Sequence, residues 1–376
     1  MPNQNPRGRA ARAAIVRGKG APFVIEDVRI GPPTADEVLV RVRAAGICHT
    51  DAIVRDQYYP FPLPGVLGHE GSGIVEEVGA NVTNVTRGDH VVMTFMSCGQ
   101  CRQCQRGETA YCNDFFMLNV GGARKDGSTG TSDAQGHVLH DHFFGQSSFG
   151  THAVAHSRNV IKVPKDVPLE ILGPLGCGIQ TGAGAILNAL AVGAGDSVAV
   201  FGVGGVGLSA VMAARAAGAT TIIALDVIPS RLTLALELGA THIVNSSKED
   251  AAEAVRKICG GVDYSLDTSG KSSVLRQAID ALGIRGTCGI VGAPPLGTEA
   301  SFDINSLMIP GRSIRGICEG DSLAAVFIPQ LIELHRQGRF PFDRLIRFYE
   351  FDEINAAIDD AAKGVTIKPV LRMPGA

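Results

Sequence analysis

Apolar and polar residues alternate along the first part of the chain in short runs that glycine and proline interrupt. Up to about Val163 these runs are rich in β-branched residues, as at residues 38–42, 73–78, 90–94 and 159–163. Short alternating runs between such breakers are typical of β-strands. The pattern therefore predicts a mainly β first domain.

After Cys177 the pattern changes, and strand-like runs alternate with helical ones. The predicted strands are residues 197–201, 221–225, 242–244, 263–267, 288–291 and 313–317, and the predicted helices include residues 206–217, 231–238 and 272–282. Short connections through helices require parallel strands joined by right-handed crossovers. We therefore predict a doubly wound, six-stranded parallel sheet of the dinucleotide-binding type.

The last stretch of the chain has an amphipathic helix that ends near Gln337, a second helix at residues 354–363 and a strand at residues 367–371. Because six strands already complete the sheet, we assign this stretch to the first domain. The expected fold class is α/β, with a mainly β catalytic domain over residues 1–178, a nucleotide-binding domain over 179–322, and a return to the catalytic domain over 323–376. A length of 376 residues fits two domains.

Composition and charge exclude several classes of protein. A hydrophobic content of 45%, a charged content of 19% and a formal net charge of −3 are typical of a soluble globular chain without a nucleic-acid partner. Apolar runs are shorter than the roughly 20 residues that a membrane span requires. Arginines in residues 1–12 precede no apolar stretch, so we expect a loose tail there, not a secretory signal, and a cytoplasmic protein.

A glycine-rich turn follows the first predicted strand of the sheet domain. It fits the G-x-G-x-x-G pattern, in which a tight turn and a helix start hold a pyrophosphate; its residues are Gly202, Val203, Gly204, Gly205, Val206 and Gly207. Alone, such a motif is often only a turn. Asp226 lies nineteen residues after Gly207 and adds a carboxylate at the position of the cofactor ribose. NAD has hydroxyl groups on this ribose, whereas NADP has a 2′-phosphate. We therefore expect NAD, with Arg231 either at the ribose or on a solvated helix face.

Four cysteines lie close together in the first domain, at Cys98, Cys101, Cys104 and Cys112. In a chain without an export signal, such a cluster indicates a metal site and not disulfides. Four thiolates can close a tetrahedral shell around a structural zinc, in a lobe over residues 95–115. An iron–sulfur cluster is the alternative, but the spacing to Cys112 and the following Asn113 differ from the ferredoxin pattern. The remaining interpretation is that the four thiols bind no metal.

Several motifs together resemble the zinc-dependent medium-chain alcohol dehydrogenases. They are Gly68-His69-Glu70 with the glycines that follow it, Cys48-His49-Thr50-Asp51, the four-cysteine lobe, Cys177, the Gly202–Gly207 turn and the tail at residues 364–371. The resemblance covers almost the whole chain in the family's order. It implies a GroES-like catalytic domain and a Rossmann domain. Residues 145–152 and 178–188 are most similar to the aryl- or benzyl-alcohol dehydrogenase branch.

The resemblance implies a catalytic zinc held by Cys48, His69 and Cys177, with a fourth position open to substrate. With the structural zinc, this makes two zinc ions per subunit. Thr50 would accept the alcohol proton, and Asp51 would hold the second ring nitrogen of His69. A relay histidine of the horse-liver-like pattern is replaced by Ile53, so the proton would leave through the ribose, His49 or water. Glu70 would approach the zinc from behind or pair with a buried arginine.

The resemblance also assigns cofactor contacts. His49 and Lys368 would lie near the pyrophosphate, and Thr181 and Val203 near the nicotinamide. Lys368 has an alternative interpretation as an ordinary surface lysine.

Other candidate residues carry weaker signals. We interpret the histidines His137, His140 and His142 as part of a solvated insertion and not as ligands. The remaining cysteines are expected in the core of the sheet domain; they are Cys259, Cys288 and Cys318. Tyr59, Phe61 and Phe95 are either ordinary core residues or the wall of an aromatic substrate pocket.

The function expected from these features is the reversible, zinc-dependent oxidation of a primary benzylic or allylic alcohol to the aldehyde, with hydride transfer to NAD. Terpenoid or aliphatic alcohol dehydrogenase and glutathione-dependent formaldehyde dehydrogenase are alternatives within the family. A zinc-free quinone reductase would lack the ligand set. A non-catalytic zinc- and nucleotide-binding protein is the alternative of a different class. We expect a homodimer, with a tetramer as the other arrangement, and small alcohols or aldehydes as the binding partners.

Overall fold

The computed structural model describes residues 8–375 of the chain. The chain divides into two compact units. The first runs up to Cys177 and includes Leu323–Pro329 and the segment from Leu345 onward, whereas the second consists of Gly178–Ser322 and Gln330–Arg344. Residues 330–344 therefore group with the second unit, although the sequence pattern assigned them to the first.

The part of the chain before Cys177 is built mainly from strands around a long central one. In chain order its elements are β1 Arg9–Val16, β2 Val24–Ile30, β3 Glu37–Gly46, α1 His49–Arg55, β4 Gly65–Val66, β5 Glu70–Val78, β6 His90–Met93, α2 Arg102–Gln105, α3 Phe115–Val120, β7 Thr131–Asp133, β8 Val138–Leu139, β9 His152–His156 and β10 Val160–Lys162. Strand β3 pairs antiparallel with β5 and β9. Residues 9–12 belong to β1, so the expected loose tail is wrong for them, and residues 1–7 lie outside the described part.

The second unit contains the parallel sheet. Its elements continue with α4 Gly178–Gly184, β11 Ser197–Phe201, α5 Gly205–Ala217, β12 Thr221–Asp226, α6 Pro229–Leu238, β13 His242–Asn245, α7 Ala251–Cys259, β14 Val262–Asp267, α8 Ser272–Asp280, β15 Leu282–Ile290, α9 Ile304–Met308 and β16 Ser313–Gly316. The strand order is β13-β12-β11-β14-β15-β16, and all pairs are parallel. The prediction of a doubly wound six-stranded sheet is confirmed.

The central strands β11 and β12 position the glycine-rich turn. Their parallel register pairs Phe201 with Leu225, so that Gly202 and Asp226 follow at the same edge of the sheet. Side chains on these strands are buried on both faces, as expected for a parallel sheet covered by helices.

The C-terminal part consists of α10 Ala324–Arg336, β17 Ile346–Glu350, α11 Ile354–Ala362 and β18 Lys368–Arg372. Strand β17 was not predicted. It pairs parallel with β18, which in turn pairs antiparallel with the end of β3. This pairing brings the C-terminal strand beside Gly46, two residues before Cys48. Among residues 8–375, no helix is both long and apolar enough to cross a membrane.

Candidate metal centres and nucleotide site

Four side chains from separate parts of the first unit converge on one point. Cys48 precedes α1, His69 and Glu70 lie at the start of β5, and Cys177 ends the first stretch of this unit. One donor atom from each of the four residues lies within 4.8 Å of all the others. The pairing of Gly46 with Glu70 between β3 and β5 brings the first two segments together.

Asp51 holds this donor set in place through three hydrogen bonds. Its Oδ1 atom lies 3.0 Å from Nδ1 of His69 and accepts the backbone N–H of Gly68, and its Oδ2 atom accepts the N–H of Cys48. The carboxylate thus makes Nδ1 the donor and directs Nε2 into the donor set. In the part of the chain that the structure describes, this buried Nε2 atom has no hydrogen-bond partner. A metal ion would satisfy it, and two thiols with one imidazole suit zinc.

The electrostatics favour the ligand form of Cys48, whereas a metal ion would have to displace a proton from His69. Hydrogen bonding with Cys177 lowers the pKa of Cys48 well below its usual value, helped by His69 and opposed by burial. Burial lowers the pKa of His69, but the Asp51 carboxylate and Cys48 raise it, and the resulting pKa is well above the ordinary value. The site therefore stabilises thiolate, the form in which cysteine binds metals.

Glu70 is paired with a lysine and not with the arginine that was expected. The Nζ atom of Lys368 donates to both carboxylate oxygens of Glu70, at 2.8 and 2.9 Å, and to the carbonyl oxygen of Ile47 at 3.2 Å. Burial raises the pKa of Glu70, and the ammonium group opposes this shift. Because an ammonium group has three donors, these contacts leave Lys368 none for a phosphate. Only glycine fits at Gly46, since a Cβ atom there would lie 2.1 Å from the Glu70 carboxylate.

The first turn of α1 carries the remaining residues predicted around the zinc. The Oγ1 atom of Thr50 lies 3.7 Å from Sγ of Cys48. His49 is exposed at the first position of the helix, and Ile53 is buried. The position of the relay histidine therefore faces the interior of this unit and offers no route for a proton.

Two aromatic residues that sequence reasoning missed pack on His69. The ring of Phe144 stacks on the imidazole at a centroid distance of 4.5 Å, and the ring of Phe143 meets it edge-on at 5.2 Å. Phe61, one of the predicted wall residues, lies 5.5 Å from Phe143, and Phe95 lies 5.9 Å from Phe115. The adjacent pair of phenylalanines just before the segment 145–152 was the available signal.

The amide of Gln146 fixes the backbone of the metal-binding segment. Its Nε2 atom donates to the carbonyl oxygen of His69 at 2.8 Å, and its Oε1 atom accepts the N–H of Gly71 at 3.1 Å. Gln146 is 1% exposed, so these bonds are shielded from water. It lies within the segment that resembles the aryl-alcohol branch.

The four lobe cysteines form a second donor set, with all four sulfur atoms within 4.8 Å of one another. Backbone N–H groups of Gln100 and Cys101 donate to Cys98, and that of Cys98 donates to Cys112. Hydrogen bonds of this kind lower the pKa of Cys101 to about 6. Burial raises the pKa of Cys112 to about 12, so a bound cation would have to displace its proton.

Only part of the segment between Cys112 and Phe149 is the solvated insertion that we predicted, since residues 134–138 are exposed. Residues 139–150 are buried apart from His140, and His142 is enclosed between carboxylates. His137 is exposed beside Asp133, and His140 lies 3.3 Å from the carbonyl oxygen of Gly122. Cys288 is buried in the sheet core as expected, but Cys259 is exposed.

The glycine-rich turn has the geometry of an anion-binding loop. Gly202 has a positive φ of 89°, and a Cβ atom on Gly207 would lie 2.0 Å from the carbonyl oxygen of Gly202. A Cβ atom on Gly204 would meet only Arg231, at 4.0 Å, so the backbone is open there. Helix α5 begins at Gly205 and directs its free N–H groups toward this opening. Val203 and Val206 complete the turn.

Asp226 links the turn to the end of β12. Its Oδ2 atom accepts the N–H of Val203 at 2.8 Å, and Oδ1 accepts those of Val227 and Ile228. Arg231 lies 3.8 Å from Oδ2. The carboxylate is therefore held by the backbone of the loop that would bind the pyrophosphate. Thr181, in α4, donates to Glu319 at 3.4 Å.

Comparison with known proteins gives consistent matches over both units. The family model described as alcohol dehydrogenase GroES-like domain matches residues 34–165, and the one described as zinc-binding dehydrogenase matches residues 205–335. A crystal structure of an alcohol dehydrogenase zinc-binding domain protein from Burkholderia ambifaria is 63% identical, covers 97% of this chain and 99% of that chain, and has a TM-score of 0.96.

Two further proteins have names that specify an alcohol. The crystal structure of benzyl alcohol dehydrogenase from Acinetobacter calcoaceticus is 51% identical, covers 97% of this chain and 99% of that chain, and has a TM-score of 0.95. Geraniol dehydrogenase from Castellaniella defragrans is 48% identical over 364 residues, which are 96% of this chain and 97% of that protein.

Proposed function

Because this chain belongs to the zinc-dependent medium-chain alcohol dehydrogenase family, we propose that it oxidises primary benzylic or allylic alcohols to aldehydes with NAD as hydride acceptor. The chain is an oxidoreductase that acts on alcohols, and zinc and a nicotinamide dinucleotide are the cofactors of its family. The observation that carries the proposal is the set of Cys48, His69 and Cys177, of which the last two are buried and in which Nε2 of His69 has no protein partner among the described residues.

A zinc ion bound by Cys48, His69 and Cys177 supplies a Lewis acid that lowers the pKa of an alcohol, as it lowers that of water to about 7. Thr50 offers a hydroxyl beside the Cys48 sulfur that would accept the proton of the alcohol while passing its own proton on to the ribose, His49 or water. Asp51 keeps His69 in the tautomer that presents Nε2. Glu70 adds a carboxylate oxygen to the same donor set while Lys368 balances its charge.

The cofactor preference depends on Asp226. The glycine-rich turn and the start of α5 hold the pyrophosphate, and the bound dinucleotide supplies the nicotinamide ring that accepts the hydride. Asp226 accepts hydrogen bonds from the ribose hydroxyls of NAD and repels the 2′-phosphate of NADP. Its carboxylate is 9% exposed, so this repulsion is poorly screened by water. Arg231, 3.8 Å away, moderates the preference.

The substrate class rests on two supports. Aromatic rings surround His69, with Phe143 and Phe144 in direct contact and Phe61 next to Phe143, and they make the surroundings of the metal site apolar, which favours an apolar alcohol. Two relatives are named for benzyl alcohol and geraniol, which are a benzylic and an allylic alcohol. The second name also favours terpenoid alcohols as a specific candidate within the allylic class.

A spectrophotometric screen tests this function. Formation of NADH is followed with benzyl, cinnamyl, geranyl, hexyl and ethyl alcohols, and we expect the first three to give the highest kcat/KM. Cys48→Ala should abolish turnover while NADH binding persists. The matched control Cys259→Ala changes an exposed cysteine of the other unit and should retain full activity. A wild-type chain with one zinc or none, or a fully active Cys48→Ala, contradicts the proposal.

The assembly is a homodimer in a reducing, cytoplasmic compartment. Strand β16 is the end strand of the parallel sheet, and exposed apolar side chains lie close to it in sequence, at Ile304, Met308 and Ile309. A second copy of this chain would cover them. All nine cysteines of the described chain are free, as metal-binding thiols require. Sedimentation of the wild type and of Met308→Glu checks the dimer, since the charged side chain should favour the monomer.

A further inference from the structure

Four charged residues form a cluster in the first unit that includes none of the metal ligands. We call Glu37, Arg124, Asp141 and His142 the buried charge cluster. Arg124 donates to both carboxylate oxygens of Glu37, at 2.7 and 3.1 Å. His142 lies between two carboxylates, with Nδ1 at 2.5 Å from Asp141 and Nε2 at 3.1 Å from Glu37.

The cluster is satisfied and electrically balanced. Both ring nitrogens of His142 face carboxylate oxygens, so the ring donates from both only as an imidazolium. Two carboxylates and two cations then cancel. The second oxygen of Asp141 accepts the N–H of Gly130 and the hydroxyl of Thr131. A buried network of this kind is rigid because no member can move without leaving an unpaired charge.

The cluster fixes an unusual backbone segment. His142 and Phe144 have positive φ values of 59° and 50°. The residues on both sides of Phe143 are therefore in the left-handed region. A bulky residue occupies this region only where the surroundings impose it. Ser147 contributes by accepting the N–H of Phe143 and donating to the carbonyl oxygen of Val66. The paired side chain of His142 anchors the start of the segment.

This segment carries the two rings that contact His69. The hydrogen bond to Asp51 lies in the plane of the imidazole and fixes the direction of Nδ1, but it does not prevent rotation of the ring about that bond. Phe144, stacked at an interplanar angle of 28°, and Phe143, at 85°, oppose that rotation. His69 is therefore held from two independent directions.

We propose that the buried charge cluster positions the imidazole of His69 by holding Phe143 and Phe144 against it. His142 and Glu37 are then positioning residues, which act through the two rings and touch neither substrate nor metal. The inference rests on the proposed function, because it treats His69 as a metal ligand.

Cobalt substitution tests the inference without depending on turnover. The visible absorption bands of protein-bound Co²⁺ respond to ligand geometry, and the bands that belong to this site are those that His69→Ala abolishes. We expect His142→Gln to shift these bands and to accelerate zinc release to a chelator by about tenfold, the lower end of the effects seen when residues behind metal ligands are changed. Asp141→Asn, which keeps the histidine, should act in the same direction if His142→Gln folds poorly.

Two controls separate positioning from general destabilisation. His137→Gln removes an exposed histidine that pairs with Asp133 in the same way. Tyr349→Phe removes a buried hydroxyl that bonds to Asp360 and Thr366 elsewhere in the same unit. Both controls should leave the cobalt bands in place. Equal shifts in either of them overturn the inference.

A double-mutant comparison tests the route through the ring. If His142 acts through Phe144, His142→Gln should add little to the zinc release rate of Phe144→Leu. If the two substitutions multiply their separate effects on the zinc release rate, His142 does not act through Phe144. If the wild type shows these bands and His142→Gln does not shift them, the inference is overturned but the proposed function is not. A wild-type chain without bands that depend on His69 overturns the proposed function as well.

Discussion

The ammonium group of Lys368 and the carboxylate of Glu70 form an ion pair in which Glu70 is 0% and Lys368 4% exposed. Lys368→Met leaves the carboxylate buried without its partner, and we expect a loss of about 3–5 kcal/mol in the free energy of unfolding. Denaturant unfolding of the zinc-loaded protein measures this loss. Lys368→Arg keeps the charge and serves as the control.

The double variant Glu70→Gln with Lys368→Met tests the cause of that loss. Removal of both charges should recover most of the stability, because no uncompensated ion remains. If the double variant is as unstable as Lys368→Met, packing of the lysine stem and not its charge is responsible.

Asp226→Asn should narrow the preference for NAD over NADP. The amide oxygen can still accept the backbone N–H groups of Val227 and Ile228, whereas the amide nitrogen takes the place of Oδ2 and the N–H of Val203 loses its acceptor; an alanine would leave all three unpaired. The amide loses the charge that repels the 2′-phosphate, and charge-assisted hydrogen bonds of about 1.5–3 kcal/mol to the ribose weaken. Dissociation constants for both cofactors measure the effect. Asp250→Asn, at the start of α7, is the matched control, and an unchanged ratio in Asp226→Asn contradicts the assignment.

Cys112→Ser should remove one zinc ion per chain and leave the other. With three thiolates in place of four, the lobe loses a closed tetrahedral shell, and we expect proteolytic cleavage within residues 95–115. Metal analysis and mapping of the cleavage sites check this result. Cys259→Ser, which changes an exposed cysteine outside both donor sets, should lose no zinc. Retention of both zinc ions by Cys112→Ser would exclude a structural site in the lobe.

The sheet of the second unit could be predicted closely because its signal is local. Periodicity within short segments located β11 and β12 to within one residue, and the glycine pattern located the turn between β11 and α5. Short connections then restricted the topology to parallel pairing. The convergence of Cys48, His69 and Cys177 has no local signal of this kind. Spacing did not predict it, and only the family resemblance suggested it.

Pairing between residues that are distant in sequence could not be predicted from the sequence pattern. Glu70 and Lys368 are 298 residues apart. A buried arginine was one of two alternatives for Glu70, and the family resemblance placed Lys368 near the pyrophosphate. His142 was assigned to a solvated insertion, but it is buried between two carboxylates. Its burial depends on Glu37, 105 residues earlier, which no local feature connects with it.

The charge state of His142 should make stability depend on pH. Burial lowers the pKa of His142, but Asp141 and Glu37 raise it against the opposing effect of Arg124, and the result is a pKa of about 9. The unfolded value is near 6.5. A raised pKa means that the native state binds the proton more tightly than the unfolded chain does. The stabilisation is therefore complete below about pH 6.5 and is lost as the pH rises to about 9.

Unfolding midpoints of wild type and His142→Gln between pH 6 and 9.5 measure this dependence. The difference in unfolding free energy between the two proteins should shrink with rising pH, by on the order of 3 kcal/mol, because only the wild type loses the imidazolium. Titration of the cysteines is common to both proteins and cancels in the difference, whereas His156 responds to the substitution because burial and the charge of His142 both lower its pKa. His137→Gln should follow the wild type at every pH. A difference that stays constant across this range would mean that His142 is neutral in the folded protein, and the charge balance of the cluster would then be wrong.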